Sequence, residues 1–320
     1  MTSTPIQATP APPPPPPTRR TTRRTLSGAV RSRAGFRLLA AIGRRPLGVF
    51  SLAVVALLLL VAAVGGYLAP HPADSMPGGA LQPPSGEYWM GTDQFGRDVF
   101  SRFLAGARVS LVIAIVSVTI AALAGAALGL LAALWAGNIG GGLIMRAMDV
   151  ILAFPLLVLV PVVTTIVGAR LASTNKTLLI SSMIGLVFIP LFARVARASV
   201  LAELRESYIE AARAYGTPRW TILLRHVVPN ISAPLIVQAA FAVAIAVEIE
   251  AAISFLGLGV QPPDASWGTI LHDARRFITL GAWWLAAFPC LGIAVTALSF
   301  NVLADVARDE LDPRSRRAAK

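Results

Sequence analysis

Glu210-Ala-Ala-Arg-Ala-Tyr-Gly216, followed thirteen residues later by Pro229, is a polar, helix-prone stretch set between long apolar runs. A segment of this kind lies outside a bilayer that the runs beside it cross. Around it the chain is 55% hydrophobic and 14% charged over 320 residues, with a mean hydropathy of +0.68. That is far too apolar for a water-soluble domain of this length. The flanking runs read as a membrane channel or carrier. The polar stretch is the place where something outside the bilayer can take hold of it.

A spanning helix needs about 20 apolar residues. Six stretches qualify: 47–69, 109–135, 148–168, 178–193, 231–247 and 283–303. The fold class read from them is an all-α polytopic membrane protein with six transmembrane helices. Gly125, Gly129, Pro155, Pro161 and Pro190 fall inside these runs. Neighbouring helices can satisfy the backbone groups that such residues free. Four regions follow: a disordered Pro- and Arg-rich tail (1–35), a first span with an external loop and amphipathic segment (36–106), a core of five spans (107–306) with a cytoplasmic loop at 198–229, and a C-terminal tail (307–320).

An even number of spans puts both termini on one side. Residues 1–46 carry nine arginines and no acid, so the tail accounts for +9 of the net charge of +12. Basic tails stay in the cytoplasm, and with the tail the loops on that side hold 21 of the 28 lysines and arginines. The Glu210 stretch is thereby placed in the cytoplasm. Because the charge sits in a tail with six consecutive prolines, Pro12–Pro17, and not on a folded face, nucleic acid is not an expected partner. Thr22–Leu26 hints at a twin-arginine signal, but the apolar run begins about twenty residues later and exceeds the length of a cleavable core. The single Cys290 excludes a disulfide framework.

In the cytoplasmic segment, 198–215 reads as one helix with Glu206 and Glu210 four apart, ended by Gly216. Thr217 and Pro218 read as the cap and first-turn proline of a second short helix over 219–226, which Pro229 stops. A helix–glycine–helix elbow transmits force if a partner grips it. Before the second span, Gly91-Thr-Asp-Gln-Phe-Gly-Arg-Asp-Val-Phe-Ser-Arg102 places Phe95, Val99 and Phe103 at helical spacing, as in an interfacial helix. Arg146 and Asp149, three apart, read as a local ion pair. Glu248 and Glu250 point in different directions near the outer end of the fifth span. Charges there are costly and often functional, which makes Glu250 a candidate for the translocation path. Gly125 and Gly129 form a close-packing pair. Trp267, Trp283 and Trp284 read as interface anchors.

The elbow resembles the EAA motif of permeases of ATP-binding-cassette importers. Glu210, Ala211, Ala212, Gly216 and Pro229 match it in register, with His226 and Val228 where the motif has isoleucine and leucine. The 91–102 string and Phe255-Leu-Gly-Leu-Gly-Val-Gln-Pro-Pro-Asp-Ala-Ser-Trp-Gly268 resemble the C-type permease subunits of dipeptide, oligopeptide and nickel importers. With them the resemblance covers about residues 36–312. It implies a type I importer permease fold and import of short peptides, with nickel or another small chelate as the alternative. It implies a B-type permease partner, two cytoplasmic ATPases, an external peptide-binding protein and surrounding lipid. By the same resemblance Glu210, Ala211, Ala212, Gly216, Thr217, Pro218 and Pro229 would couple to the ATPase, and the outer segment with Asp93, Arg97 and Asp98 would sit under the binding protein.

No Gly-x4-Gly-Lys-Ser/Thr occurs, and the lysines are Lys176 and Lys320 alone. ATP and magnesium are expected on partner subunits, with no cofactor, catalytic group or metal on this chain. His71, His226 and His272 fall on separate loops. A secondary transporter or channel without an ATPase, and a receptor that moves nothing, are the other classes; co-purification of an ATPase and uptake itself separate them.

Overall fold

The computed structural model describes residues 45–170 and 176–311; the expected disorder of 1–35 lies outside the described residues. Among those described, regular structure is helical apart from one isolated bridge between Thr92 and Asp98. The helices are α1 (Pro46–Leu68), α2 (Val99–Leu134), α3 (Ile139–Ala153), α4 (Leu156–Arg170), α5 (Lys176–Glu203), α6 (Ser207–Ala214), α7 (Arg219–Ile222), α8 (Val228–Phe255), α9 (Trp267–Ala274) and α10 (Trp284–Leu311).

Among the described residues, five long helices are apolar enough to cross a membrane: α1, α2, α5, the 219–255 run and α10. The pair α3 and α4 passes the same test only when taken together and is bent by 95°, the shape of a broken span or a re-entrant loop. A straight helix through 148–168 was expected there, and the break corrects it. Pro155 has no N–H to donate and forces Phe154 into extended backbone, φ −86° and ψ 136°. Pro161 and Pro190 stay inside α4 and α5.

The expected local pair of Arg146 with Asp149 is also replaced: Asp149 binds Arg194 of α5 at 2.5 Å. Arg45, before α1, binds Asp309, near the end of α10, at 2.7 Å. The start of the first span and the end of the last therefore lie on the same side. Helix α10 runs to Leu311, past the position where a tail was expected to start.

Packing centres on α2 against α5. A Cβ built on Gly125 would stand 2.5 Å from Phe192 Cβ and 2.7 Å from the Ile189 oxygen. On Gly129 it would overlap the Ala193 oxygen and stand 2.7 Å from Ala196 Cβ. Gly185 of α5 meets the Ser117 oxygen of α2 in the same way, at 2.8 Å. The glycine pair read from sequence is thus the contact face of two helices of one subunit, at the distance that only missing side chains allow. Around this seam, Leu111, Ile113, Ile184, Phe188, Phe192 and Val247 form the buried core.

Candidate functional site

Two constructions stand out, one on each side of the spans. On the side of Arg45 and Asp309 lies the elbow. Helix α5 ends at Glu203 and the chain turns through Leu204–Glu206 before α6 begins, so the single helix expected over 198–215 is two. Helix α6 ends in a Schellman motif: Gly216 has φ +74°, its N–H bonds the Arg213 oxygen at 3.0 Å, and the Thr217 N–H bonds the Ala212 oxygen at 3.1 Å. Pro218, with φ −56° and ψ 141°, takes the cap position expected of Thr217. Helix α7 then lasts one turn.

Pro229 does not stop this helix. The backbone widens into a π turn over Leu223–Val227, where the Val228 N–H reaches back five residues to the Leu223 oxygen, and α8 continues. The wide turn makes room for a ring with no N–H to give. From Arg219 to Phe255 the chain is one long helical run.

The elbow presents two faces. Ile209, Ile222, Leu223, Val227 and Ile231 pack together with Val200 of α5 and Ala133 of α2, so the inner face is wired into three spans. Glu203, Tyr208 and Asn230 add a polar tie among α5, α6 and α8. Tyr208 Oη donates to Glu203, and Asn230 Nδ2 donates to Glu203 Oε1 at 2.6 Å and to Tyr208 Oη at 3.0 Å. Glu210 and Ala211 face outward, with Ala212 half-buried. Tyr215 is 90% exposed and Trp220 is 70% exposed. Sequence reading missed this aromatic pair and the tie, although Tyr and Trp in a polar loop are themselves a signal of contact.

On the opposite side, 91–98 is a tight loop and not the interfacial helix expected from Phe95, Val99 and Phe103. Gly91 and Gly96 take φ +75° and +78°. Asp93 Oδ1 accepts from the N–H groups of Phe95 at 2.9 Å and Arg97 at 3.0 Å, bonds that compete with a helix. Helix α2 starts only at Val99, where Asp98 accepts from the N–H of Phe100 and Ser101. Arg97 Nε binds Asp93 at 2.6 Å, Arg102 Nε lies 3.7 Å from it, and both guanidinium groups reach Asp273 of α9 at 3.5 and 3.4 Å. Asp93 and Asp98 are buried, and the Arg97 side chain is mostly covered. All three are turned into the subunit, and what faces outward here is Phe95 of the loop and Trp89 just before it.

The chain matches the family described as binding-protein-dependent transport system inner membrane component over residues 125–317. It belongs to that family. Residues 41–84 match the N-terminal transmembrane domain of oligopeptide transport permease C. This permease is 37% identical over 282 residues to a probable D,D-dipeptide transport system permease protein of Escherichia coli (strain K12), covering 88% of this chain and 92% of that one. It is 40% identical over 270 residues to a di/tripeptide transport system permease protein of Pseudomonas aeruginosa (strain UCBPP-PA14), covering 82% and 86%. It is 39% identical over 262 residues to a glutathione transport system permease protein of Pectobacterium atrosepticum, covering 81% and 84%. It is a multi-pass membrane subunit with the type I permease fold, working in a transport system with other components.

In this permease Trp267 and Trp284, read as interface anchors, are buried: Trp267 Nε1 donates to the Phe103 oxygen and Trp284 Nε1 to the Thr92 oxygen, both at 3.1 Å. Trp283 alone of the three is exposed. Glu248 faces outward, whereas Glu250 is enclosed within the subunit. Asp93→Ala is expected to lower the stability of the purified permease by about 3 kcal/mol, because Arg97 and Arg102 then lose their central counter-ion in a covered site. A thermal unfolding midpoint within one degree or so of the unaltered protein rules this out.

Proposed function

We propose that this permease imports short peptides across the bacterial cytoplasmic membrane, with both termini and the elbow on the cytoplasmic side. ATP and magnesium act on two partner ATPases, and a B-type permease completes the path. An external binding protein delivers the peptide to the side of the 91–98 loop. This chain contributes no catalytic group. The observation that carries the reading is the elbow: Tyr215 and Trp220 are exposed on a segment whose other face is locked into α2, α5 and α8. A partner gripping those aromatics moves three spans at once, which is what an ATP-driven shift between two states of the path requires. Peptides are favoured as substrate because the relatives are named for di- and tripeptides, D,D-dipeptides and glutathione.

Tyr215→Ala with Trp220→Ala tests it. Truncating exposed aromatic anchors costs about 2 kcal/mol each in binding. The doubly altered permease is expected to reach the membrane in normal amount, to lose the ATPases on purification, and to lose uptake of a labelled tripeptide. Retained ATPase and retained uptake would sink the coupling assignment. Cells that lack the permease yet take up tripeptide normally and fail on radioactive nickel would move the substrate to the metal branch.

A further inference from the structure

Glu250 lies near the outer end of α8, fully enclosed. One carboxylate oxygen accepts from Ser110 Oγ of α2 at 2.7 Å, and the other from Ser254 Oγ, one turn further along α8, at 2.7 Å. Each hydroxyl also accepts a backbone N–H from the outer chain. Ser110 Oγ takes that of Trp267 at 3.3 Å, and Ser254 Oγ takes that of Val260 at 3.2 Å. Val260 lies within the segment that joins α8 to α9, and Trp267 stands at its far end. The glycines around it show how closely it sits. A Cβ on Gly259 would overlap Ser254 Oγ, one on Gly268 would stand 2.6 Å from the Ala251 oxygen, and one on Gly106 would stand 3.1 Å from the Ser266 carbonyl carbon.

A carboxylate suits this geometry. Each serine accepts a backbone N–H and gives its own proton to the group between them, which accepts on both sides. Glutamate does this, whereas glutamine offers one accepting oxygen and forces one serine to turn. Removing the carboxylate alone leaves both serine protons without their acceptor. The polar cluster fixes one geometry of the outer segment on two helices.

We propose that Glu250 is a positioning residue: through Ser110 and Ser254 it fastens the 256–267 segment to α2 and α8. The outer segment then moves with the helix whose other end is the elbow. The functional half rests on the reading of binding-protein-driven peptide import; the structural half does not.

The test uses the complete transporter in lipid nanodiscs. Amide hydrogen exchange is read at Val260 and Trp267. ATP hydrolysis is read with and without the binding protein loaded with trialanine. Glu250→Ala is expected to speed exchange at both amides on the order of tenfold, because each serine hydroxyl then loses the carboxylate that orients it to accept its amide. Ser254→Ala speeds Val260 alone, and Gly216 and Thr217 in the elbow are unchanged in either variant. The ratio of stimulated to unstimulated hydrolysis falls by a similar factor in Glu250→Ala, and Glu250→Gln, which can keep one of the two serine bonds, restores only part of it. Unchanged exchange at Val260 in assembled Glu250→Ala or Ser254→Ala overturns the fastening; if Glu250→Ala does not assemble, Ser254→Ala decides. Faster exchange with an undiminished ratio overturns the positioning role. An unaltered transporter that ignores trialanine-loaded binding protein counts against the import reading, while the exchange result stands by itself.

Discussion

Replacing Gly129 by valine is expected to keep the permease from accumulating in the membrane. Helix α2 meets α5 there with the Ala193 oxygen and Ala196 Cβ already where a side chain would begin. A branched side chain forces the helices apart along the seam that also holds Gly125 and Gly185. Overpacking of a filled core costs about 3 kcal/mol at the upper end of its usual range, a large part of the stability of any single domain. Gly142→Ala is the control. It lies inside α3 with nothing within 4 Å of a built Cβ, so the change removes a poor helix former at no steric cost. The measurement is the amount of folded permease extracted from membranes. Normal amounts of Gly129→Val, with an unchanged unfolding midpoint, would mean that the seam opens easily and is not the core described here.

Gly216→Val is expected to abolish tripeptide uptake while leaving the permease in the membrane. A Cβ here meets nothing within 4 Å, but the backbone stands at φ +74°. Holding a β-branched residue in that region costs about 1–2 kcal/mol. The chain escapes the strain by leaving it, which breaks the two Schellman bonds and re-aims α7, with Trp220, relative to α6. The base of the elbow survives because Ile209, Ile222 and Leu223 are buried beneath it. A fall in uptake of tenfold or more corresponds to about 1.4 kcal/mol or more of lost coupling. Gly216→Asn, which tolerates left-handed backbone, is expected to recover much of the uptake. Uptake by the valine variant equal to that of the unaltered permease would show that the direction of α7 does not matter.

How far the sequence could be read follows the range of the forces involved. The spans were legible because a bilayer demands an unbroken apolar run whatever the tertiary fold. Gly216 was legible because a helix end is a local event. Pro155 was not: it is chemically the same residue as Pro161 and Pro190, and the broken crossing shows only once the path of α3 and α4 is known. The 91–98 string was misread because apolar spacing counts side chains, while the loop is decided by Asp93 bonding its own backbone and by Asp273, 176 residues from Arg97. Trp267 and Trp284 were assigned to the interface by type, and their burial depends on carbonyl partners distant in sequence. Glu250 was singled out as a costly charge, and Ser254, at the i+4 position, was the available hint that it is held inside.

The π turn beneath the elbow has a consequence for how such chains can change length. One residue added to or removed from an α-helix turns everything beyond it by about 100° and shifts it by about 1.5 Å. Between Pro229 and Glu250 that rotation would swing the carboxylate away from Ser110 while the elbow stayed in place, so this interval keeps phase between the two ends of the protein. The wide turn at Leu223–Val227 holds one residue more per turn than its neighbours, which is the mark a single insertion leaves when the helix absorbs it locally. Kin of this permease that differ in length should therefore carry the difference before Val228 or after Phe255, and keep the stretch between at constant length.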